Sequence, residues 1–490
     1  MARQVIKLGS SSIASRGGLA LDVIAGLVSQ IAAAQRTGHE IILVTSGASR
    51  LGRQLIAFEG PTAGAGHALQ ALVSSVRSAV QSADYQQLAE TLSLYATPPP
   101  GPQAVETALP SAVGQPALMA LYRQLAAAVG VEVCQILVSR SDLDSPRAMA
   151  DLGQLLREAT GRGLLPIVNG NDATDPHSAL DNDQVAVAVA VAAEASRLLF
   201  LTDVRAAYRD AELSERITKL TPAQARAVRV TGGGSGRGGM GSKLTAAARA
   251  ACCGIECVIG SAREPDVVGR SLNPRARMGT VVRSAGPRLE PGRRWIGGIA
   301  YSAGSVHVNR EAEESLRSGS TLFLSGVKRV EGDFPAGAVV ELLDVRHPER
   351  LLGRGSVALP SAILRLLRAL APQEVACVLS ILFRLRYADP VPEARMQSAL
   401  LDPDVYKDCQ ELASGTSRAS QEALAQLAAL SAERVTELAD SLLLAQPHLA
   451  TTFLLDKGFL QGQVPADAAA RRVVRSIHAV HRESLVVYPA

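Results

Sequence analysis

The sequence predicts an α/β protein whose first part has a mostly parallel sheet, followed by a small β-rich domain and a helical C-terminal region. In the first part, short apolar runs alternate with segments of helical periodicity, which is typical of βα units around a sheet covered on both faces. Clusters of Gly, Ser, Asn and Asp follow these runs. After the Pro/Gly/Arg-rich stretch Gly286–Arg294 the pattern changes to short strand-like runs, and from about Pro372 it becomes helical.

Each element of the first part has its own local signal. Strands are predicted at Val5–Leu8, Ile41–Thr45, Val131–Val138, Leu165–Val168, Leu199–Leu201 and Cys257–Ile259. Helices are predicted at Leu19–Arg36, Pro116–Ala128, Arg147–Ala159, Gln184–Ala193 and Lys243–Ala251. Because ligands of parallel α/β sheets bind at the carboxyl ends of the strands, we expect function at the polar clusters found there. These clusters are Gly9–Ser12, Thr45–Gly47, Asn169–Asp172 and Thr202–Asp203.

Composition limits the class of protein. The 490 residues are 47% hydrophobic and 20% charged, which excludes a disordered chain and predicts about three globular domains. The net charge of +4 argues against a dedicated nucleic-acid coat. The six cysteines lack CxxC or zinc-ligand spacing, so we expect buried reduced thiols. No signal-peptide core follows Met1, and the apolar run Val185–Ala193 is too short to cross a bilayer, so we expect a soluble cytoplasmic protein.

Three segments carry residues suited to phosphoryl transfer, which needs cations near the moving charge, backbone donors around the phosphates and a group that holds the acceptor. Val5–Ser12 brings Lys7 to a strand end and continues into a small-residue turn. Thr231–Lys243 is glycine-rich and opens a helix, although its spacing is not that of a P-loop. Asn169–Asp172 and Asp181–Asp183 can bind an amino group and a carboxylate. Taken singly, each has an ordinary alternative: a solvated lysine, a flexible linker, and two Asx turns.

The order of the motifs is more specific than any one of them. In order, they are Lys7–Ser10, Val44–Ala48, Ala112–Gln115, Asn171-Asp172 with Asp181–Asp183, Leu201–Asp203 and Gly238–Lys243. Together they resemble the glutamate 5-kinases of the amino-acid kinase family, and the match runs from about Gln4 to Val282. Further along, Arg294-Trp295, Lys328–Asp333 and Gly337 are similar to a PUA-type domain.

The resemblance implies an amino-acid-kinase three-layer sandwich in residues 1–285, with an insertion at about 60–110, and a PUA-like domain in residues 293–370. In the latter, strand-like runs occur at Ser305–Val308, Leu322–Leu324 and Ala338–Leu342. No family counterpart is recognised for residues 372–490, where Thr436–Leu444 and Ala468–Val480 are amphipathic. We expect that region to be a separable helical domain, and its role stays open.

The resemblance also implies ATP-dependent phosphorylation of the γ-carboxylate of glutamate, or of a closely related acid, to an acyl phosphate, as in the first step of proline biosynthesis. Lys7 and Lys243 would flank the transferred group, and Asp183 would organise them. Three residues would hold the acceptor acid: Ser46, Asp172 and Asn182. ATP would contact Gly9, Thr202, Asp203, Arg237, Gly238, Gly239, Met240, Gly241 and Ser242. Mg²⁺ would bridge the phosphates of ATP, with no dedicated protein metal site.

Some residues depart from the family pattern at the edges of both pockets. Gly170 stands where the family has a glutamate, and Ser49 and Arg50 replace small apolar residues beside the acceptor. On the nucleotide side, Ala206 stands where the family has a glycine. These departures keep two alternatives open: a non-catalytic nucleotide-binding regulatory homologue, and a kinase of a modified or tethered glutamate-like acid.

The expected partners follow from the same resemblance. We expect glutamate or a similar acidic amino acid as substrate, a homo-oligomer, a downstream reductase as a possible partner, and no membrane. An RNA partner is weighed because PUA-type domains occur in RNA-modifying enzymes. It is not favoured, because Arg293–Arg368 shows neither a basic stripe nor interleaved aromatic residues.

Overall fold

The computed structural model describes residues 2–9, 12–15, 18–58, 108–175, 181–209, 215–228, 239–276, 278–284, 286, 289–369, 375 and 477–488. The chain divides into two compact units, Met1–Ala300 and Tyr301–Tyr488. Most of the expected insertion at 60–110 and the amphipathic segment Thr436–Leu444 lie outside the described residues.

The first unit is built on an eight-stranded sheet in the order β10-β12-β11-β7-β1-β4-β6-β5. Its neighbours run parallel except at β11 and β12, which are antiparallel. The sheet strands are β1 Arg3–Leu8, β4 Glu40–Val44, β5 Val133–Val138, β6 Leu165–Gly170, β7 Arg197–Thr202, β10 Lys219–Leu220, β11 Glu256–Ser261 and β12 Thr280–Val282. Two short hairpins are formed by β2 Ala14–Ser15 with β3 Gly18–Leu19 and by β8 Ala207–Tyr208 with β9 Arg216–Ile217. The predicted mostly parallel sheet is confirmed.

Helices cover both faces of this sheet. They are α1 Leu21–Arg36, α2 Ala48–Phe58, α3 Ala108–Ala128, α4 Arg140–Asp144, α5 Pro146–Gly161, α6 Asn182–Ala192, α7 Pro222–Ala227, α8 Met240–Cys252, α9 Val267–Leu272 and α10 Pro291–Arg294. Helices α1, α2, α3 and α9 share one apolar core with the sheet. Helices α5, α6 and α8 contact the strands from the other side, which completes a three-layer sandwich.

Local sequence explains the elements near the strand ends. In α1 the apolar residues Ile24, Leu27, Val28 and Ile31 recur at helical spacing and are buried, and the chain leaves the helix at Gly38, whose φ of 83° favours glycine. The apolar run that begins at Val185 forms most of α6, which is buried all round rather than on one face. None of the described helices is long and apolar enough to cross a membrane.

The second unit contains a six-stranded sheet in the order β14-β18-β17-β16-β13-β15. The strands are β13 Ser305–Val308, β14 Leu322–Phe323, β15 Val327–Glu331, β16 Val339–Asp344, β17 Leu351–Val357 and β18 His478–Val487. Helices α11 Arg310–Arg317 and α12 Ser361–Ala369 accompany it. Strands β13 and β16 are parallel, and the other neighbours are antiparallel. The predicted β-rich domain is therefore present.

Strand β18 corrects the expected domain boundary. Residues 478–487 were expected to belong to a separable helical region, but they form a strand between β14 and β17 in the sheet of the second unit. The physical reason is burial: Ala479 and Val480 are fully buried and Leu485 is 4% exposed, all within that unit's core. Residues 478–480 had been included in the amphipathic segment ending at Val480, because a short apolar run carries no period of its own.

Two other local expectations need correction. The stretch Gly286–Arg294 was expected to be a linker, but its end forms α10, which continues into a π-helical turn at Trp295–Ile299. Helix α3 begins at Ala108, so Pro116 lies inside the helix instead of at its start. In α10 the proline is the first helical residue, a position that proline favours, whereas in α3 the packing of the helix overrides the local signal of Pro116.

Removing β18 should unfold the second unit. A chain ending at residue 476 loses a strand from between β14 and β17, which leaves their facing edges unpaired and opens the apolar core. We expect loss of one cooperative thermal transition and poor soluble yield, measured by calorimetry and by fractionation.

A matched pair of point variants tests the packing of β18 without shortening the chain. Val480→Asn places a polar group in the core and should lower the melting temperature of the second unit, while Glu483→Asn, at an exposed position of the same strand, should not. Equal melting temperatures for the two variants would contradict the assignment of β18.

Candidate active site

Strand β1 carries Lys7 to the carboxyl end of a central strand of the sheet. It lies between β7 and β4, and its side chains alternate between the two faces. Ile6 and Leu8 point into the core shared with α1, so Lys7 points towards the opposite layer. Lys7 is only 4% exposed. A cation this deeply buried requires a charged or hydrogen-bonding partner.

Asp183, the second residue of α6, is that partner. Its Oδ1 lies 2.6 Å from Nζ of Lys7, and its Oδ2 lies 3.4 Å from Nζ of Lys243. Asp183 is fully buried and Lys243 is 3% exposed. The N-cap residue Asp181 holds this helix start by accepting the backbone N–H of Asp183 at 2.9 Å. The three predicted catalytic residues therefore form one buried cluster with two positive charges and one negative charge.

The beginning of α8 is tied to the beginning of α6. Oγ of Ser242 donates to Oδ2 of Asp181 at 2.6 Å and lies 3.2 Å from Oδ2 of Asp183. The backbone N–H of Lys243 donates to the carbonyl of Gly239, the residue before the helix, at 3.2 Å. These bonds fix the position from which Lys243 reaches the carboxylate.

The same helix start is suited to an anion. The first N–H groups of a helix have no intrahelical acceptor and, together with the helix dipole, attract phosphate. Here they belong to Met240, Gly241 and Ser242, next to the two lysines. The adjoining Arg237 and Gly238, which the family resemblance assigns to the nucleotide, lie outside the described residues.

Burial changes the acid–base behaviour of Lys243. Desolvation, the largest cause, lowers the pKa of Lys243 below its usual 10.5. The negative charge of Asp183 opposes this shift, and the positive charge of Lys7 adds to it. A bound anion beside both lysines would reverse part of the shift, because it favours the charged form.

Ser46 lies at the neighbouring strand end, after β4. Its side chain is 8% exposed, and its Oγ donates to the carbonyl of Leu8 at 3.3 Å. Gly47 follows with a φ of 101°, and a Cβ at that position would lie 2.5 Å from Cδ1 of Ile13. A glycine is therefore required for the turn that leads from Ser46 into α2.

A cavity of about 220 Å³ lies beside this turn. It is lined by Ala48, Ser111, Ala112, Gln115, Pro116, Gln135, Leu137, Gly170, Asn171, Asp172 and Ala173. Of the residues predicted to hold the acceptor, Asp172 lines the cavity, and Ser46 precedes its wall residue Ala48 by two positions. Asn182 is partly exposed in the first turn of α6, next to Asp183.

Gln115 is a polar residue of this cavity for which the sequence predicted no role. The backbone N–H of Gly170 donates to Oδ1 of Asn169 at 2.9 Å, which leaves the Asn169 amide as a donor. That amide donates to Oε1 of Gln115, also at 2.9 Å. The buried Nε2 of Gln115 and Oγ of Ser111 then have no partner among the described residues. Both can hydrogen-bond a carboxylate or carbonyl oxygen of a ligand.

Two glycines bring Gln115 to this position. Helices α2 and α3 approach so closely that a Cβ on Gly52 would lie 1.7 Å from the carbonyl oxygen of Pro110. A Cβ on Gly114 would lie 1.9 Å from the carbonyl oxygen of Ala48. Gly114 directly precedes Gln115, so the motif Ala112–Gln115 combines a close helix contact with a polar lining residue.

Three of the residues predicted to contact the nucleotide, Gly9, Thr202 and Asp203, lie at the ends of β1 and β7. Thr202 is 4% exposed and its Oγ1 donates to Oδ1 of Asp203 at 2.8 Å. The buried Gly9 donates its N–H to the carbonyl of Leu201 at 3.4 Å, which joins the two strand ends. That N–H is therefore engaged with the protein backbone instead of facing a phosphate.

The structure shows where three of the residues that depart from the family pattern lie. Gly170 lines the cavity, so the missing glutamate side chain changes the wall itself. Arg50 is exposed on α2 and is absent from the lining, so it adds no cation there. Ala206 is fully buried just before the β8–β9 hairpin.

Comparison with known proteins assigns the first unit. A model of the amino acid kinase family matches residues 2–261. The chain belongs to the amino acid kinase family. A model of the PUA domain matches residues 304–375, within the second unit.

Individual members of the amino acid kinase family match over most of their length. The chain is 33% identical over 398 residues to the glutamate 5-kinase of Gloeobacter violaceus, which covers 78% of this chain and 95% of the relative. It is 29% identical over 387 residues to the glutamate 5-kinase of Proteus mirabilis, and the match covers 76% of this chain and 94% of the relative. It is 35% identical over 266 residues to the glutamate 5-kinase of Prochlorococcus marinus strain MIT 9313, and this match covers 52% of this chain and 73% of the relative.

The close contact of α2 and α3 gives a stability prediction. Gly114→Ala should force α3 away from Ala48 and lower the free energy of unfolding by about 1–3 kcal/mol, measured by urea denaturation. The control is Gly26→Ala in α1, where a Cβ meets nothing within 4 Å and the change should be neutral or stabilising by about 0.4–1 kcal/mol. Equal stability of the two variants would show that the helices do not need the glycine contact.

The lowered pKa of Lys243 gives a pH prediction. Lys243 would be needed in its charged form beside a transferred phosphate, and its pKa in the folded protein lies below 10.5. The phosphoryl-transfer kcat/KM should therefore fall on the alkaline side at a pH below the pKa of a free lysine. Lys243→Arg stays charged throughout that range, so its residual kcat/KM should lose this alkaline limb. An identical limb in wild type and Lys243→Arg would assign the titration to another group.

Proposed function

We propose that this protein transfers the γ-phosphoryl group of ATP to the γ-carboxylate of glutamate, forming γ-glutamyl phosphate in the first step of proline biosynthesis. The observation that carries the proposal is the buried cluster of Lys7, Asp183 and Lys243 next to the amino terminus of α8. The similarity of the chain to several glutamate 5-kinases supports the choice of acceptor.

The chemistry requires little covalent help from the protein. A carboxylate oxygen of glutamate attacks the γ-phosphorus, an O–P bond forms, and the bond to the oxygen bridging the β- and γ-phosphates breaks, which leaves ADP. Lys7 and Lys243 would balance the negative charge that spreads over the transferred group. Asp183 keeps the two ammonium groups together and limits their mutual repulsion.

The start of α8 and the ends of β1 and β7 would hold ATP. The N–H groups of Met240, Gly241 and Ser242 are suited to its phosphates, and Thr202 and Asp203 lie at the adjoining strand end. Mg²⁺ would be held mainly by the phosphates of ATP, since this ion keeps several of its waters and is usually bound through substrate phosphates. Mg²⁺ bound to the phosphates would supply further charge neutralisation.

The cavity beside Ser46 would hold the rest of the acceptor. Asp172 offers a carboxylate for the α-amino group, and Gln115 and Ser111 offer donors for a carboxylate oxygen. Asn182, in the turn that carries Asp183, would complete the set. A buried donor left without its acceptor costs about 1–3 kcal/mol, so such groups discriminate between acids.

One observation favours a second candidate acceptor. Gly170 leaves the cavity wall without the carboxylate that the family pattern has there. A wall with less negative charge would accept a glutamate-like acid whose amine is blocked or tethered.

The product of either acceptor is a labile acyl phosphate, so the partner we propose is a reductase that consumes it. The kinase itself would act as a homo-oligomer.

The activity can be measured by trapping the acyl phosphate with hydroxylamine as a coloured hydroxamate. With ATP, Mg²⁺ and a panel of acidic amino acids, we expect free glutamate to give the highest rate. Lys7→Ala and Lys243→Ala should each lower that rate by about 100-fold or more, because each removes a cation beside the transferred group. The control is Lys328→Ala, an exposed lysine of β15.

Each alternative predicts its own outcome in this assay. A preference for amine-blocked glutamate that Gly170→Glu reverses would favour the modified acceptor. ATP binding without hydroxamate from any acid would contradict the proposed function and indicate a non-catalytic homologue. Near-normal turnover in Lys7→Ala or Lys243→Ala would remove the cluster from the mechanism.

A further inference from the structure

A second cavity, of about 470 Å³, lies in the first unit at the edge of the sheet formed by β10 and β12. Its size falls within the range of about 300–1,000 Å³ that is common for small-molecule sites. It reaches the amino ends of β7 and β11, because Arg197 and Glu256, the paired first residues of these strands, line it.

This cavity is separate from the candidate active site. Strands β7 and β11 run parallel, and their other ends carry Thr202 and Ser261, which are also paired. A strand of this length separates its two ends by roughly 17 Å. A ligand at the amino ends therefore does not occupy the position expected for ATP.

The charge of the cavity lining is strongly unbalanced. Five cationic side chains contribute to it, namely Arg197, Arg216, Lys219, Arg270 and Arg283, against one carboxylate, Glu256. That carboxylate is engaged with Arg197 at 3.2 Å, and Arg270 is paired at 3.0 Å with Glu264, which lies outside the lining. Arg216, Lys219 and Arg283 therefore supply the excess charge. The first unit thus concentrates positive charge here, although the whole chain has a net charge of only +4.

Two of the arginines are held in place by neutral groups. Nη1 of Arg197 donates to the carbonyl of Ser271 at 2.5 Å, and Nη2 of Arg216 donates to the carbonyl of Gly279 at 3.1 Å. Backbone carbonyls orient both guanidinium groups; that of Arg197 is also paired with Glu256, whereas the contact to Gly279 leaves the charge of Arg216 uncancelled. Held this way, the remaining N–H groups can bind an anion with little further loss of side-chain entropy.

Lys219 and Arg283 lie close together on the rim. Lys219 is paired with Val281 across β10 and β12, and Arg283 lies two residues beyond Val281, so its side chain projects to the same side. Neither cation forms an ion pair with any of the described residues. Two uncompensated charges beside oriented arginines favour a ligand with more than one negative charge.

We propose that this cavity binds a small polyanion carrying at least two phosphoryl groups. Phosphate oxygens match both the fork of a guanidinium group and the point charge of a lysine. The ligand is either an inorganic polyphosphate or the diphosphate part of a nucleotide. The proposal is independent of the kinase activity, because it concerns the opposite ends of the strands.

The test is calorimetric titration of the full chain with inorganic pyrophosphate and, in a second arm, with ADP. Lys7→Ala/Lys243→Ala protein is used throughout, so that phosphate binding at the candidate active site is weakened. We expect Lys219→Glu/Arg283→Glu to weaken pyrophosphate binding by at least tenfold, and Lys219→Gln alone to weaken it less. The control Arg36→Glu/Arg147→Glu makes the same change in net charge at exposed positions outside the cavity and should leave binding unchanged.

The arms of this experiment also distinguish the two sources of phosphate. Counting only the binding that Lys219→Glu/Arg283→Glu weakens, ADP that binds at least tenfold more tightly than pyrophosphate supports a nucleotide, and the reverse supports an inorganic polyphosphate. Pyrophosphate and ADP that both fail to bind, or whose affinities Lys219→Glu/Arg283→Glu leaves unchanged while its thermal unfolding stays normal, overturn the proposal. The hydroxamate assay on the Lys219→Glu/Arg283→Glu variant of the otherwise wild-type chain tests the kinase activity separately. Failure of the polyanion proposal can therefore be distinguished from failure of the proposed function.

Discussion

The buried carboxylate of Asp183 is the interaction on which the site depends. Lys7 from β1 and Lys243 from α8 are both almost completely buried, and without Asp183 their ammonium groups would repel each other with little solvent to screen them. Removing one partner from such a group typically costs about 3–5 kcal/mol, so the carboxylate determines how close β1, α6 and α8 can lie. The cluster still carries an excess positive charge. The carboxylate of Asp181 offsets part of this charge at Lys243, and what remains favours the binding of an anion, as a site that moves a phosphoryl group requires.

Much of this arrangement could be predicted from local sequence, because it rests on strands that end in distinctive residues. Strands β1, β4, β7 and β11 lie close to their predicted positions, since each is an apolar run buried on both sides. The resemblance to the amino-acid kinase family predicted that Lys7 and Asp183 belong to one site, and the structure brings them within 2.6 Å of each other. The role of Gln115 could not be predicted, because it depends on an amide chain through Asn169 and on a helix contact made by Gly114. The basic cavity was also missed, since its five cations are scattered along the sequence and meet only at the sheet edge.

The second unit shows the opposite situation, in which local sequence is misleading. Its sheet is closed by β18, which pairs with β14 and β17 across more than a hundred intervening residues. Val375 and Ile477, at the two ends of the intervening segment, are 1% and 0% exposed and belong to the same apolar core. Residues 376–476 therefore lie, in the sequence, between two segments that contribute to the core of the second unit. Pattern alone could not show this, because strand pairing at long range leaves no local periodicity.

That topology has a consequence for biosynthesis. Strand β18 leaves the ribosome only after the intervening segment of about 100 residues, which at elongation speeds of about 5–20 residues per second corresponds to a delay of roughly 5–20 s. During this interval β14 and β17 have been made but still lack the strand that lies between them, and unpaired edges are the surfaces through which nascent chains aggregate. The first unit, Met1–Ala300, precedes the second in the sequence, so its strands and helices have all been synthesised before this interval begins. Translation speed and chaperone occupancy therefore bear mainly on the second unit, so the yield of intact protein depends on how its incomplete sheet is protected until the last strand arrives.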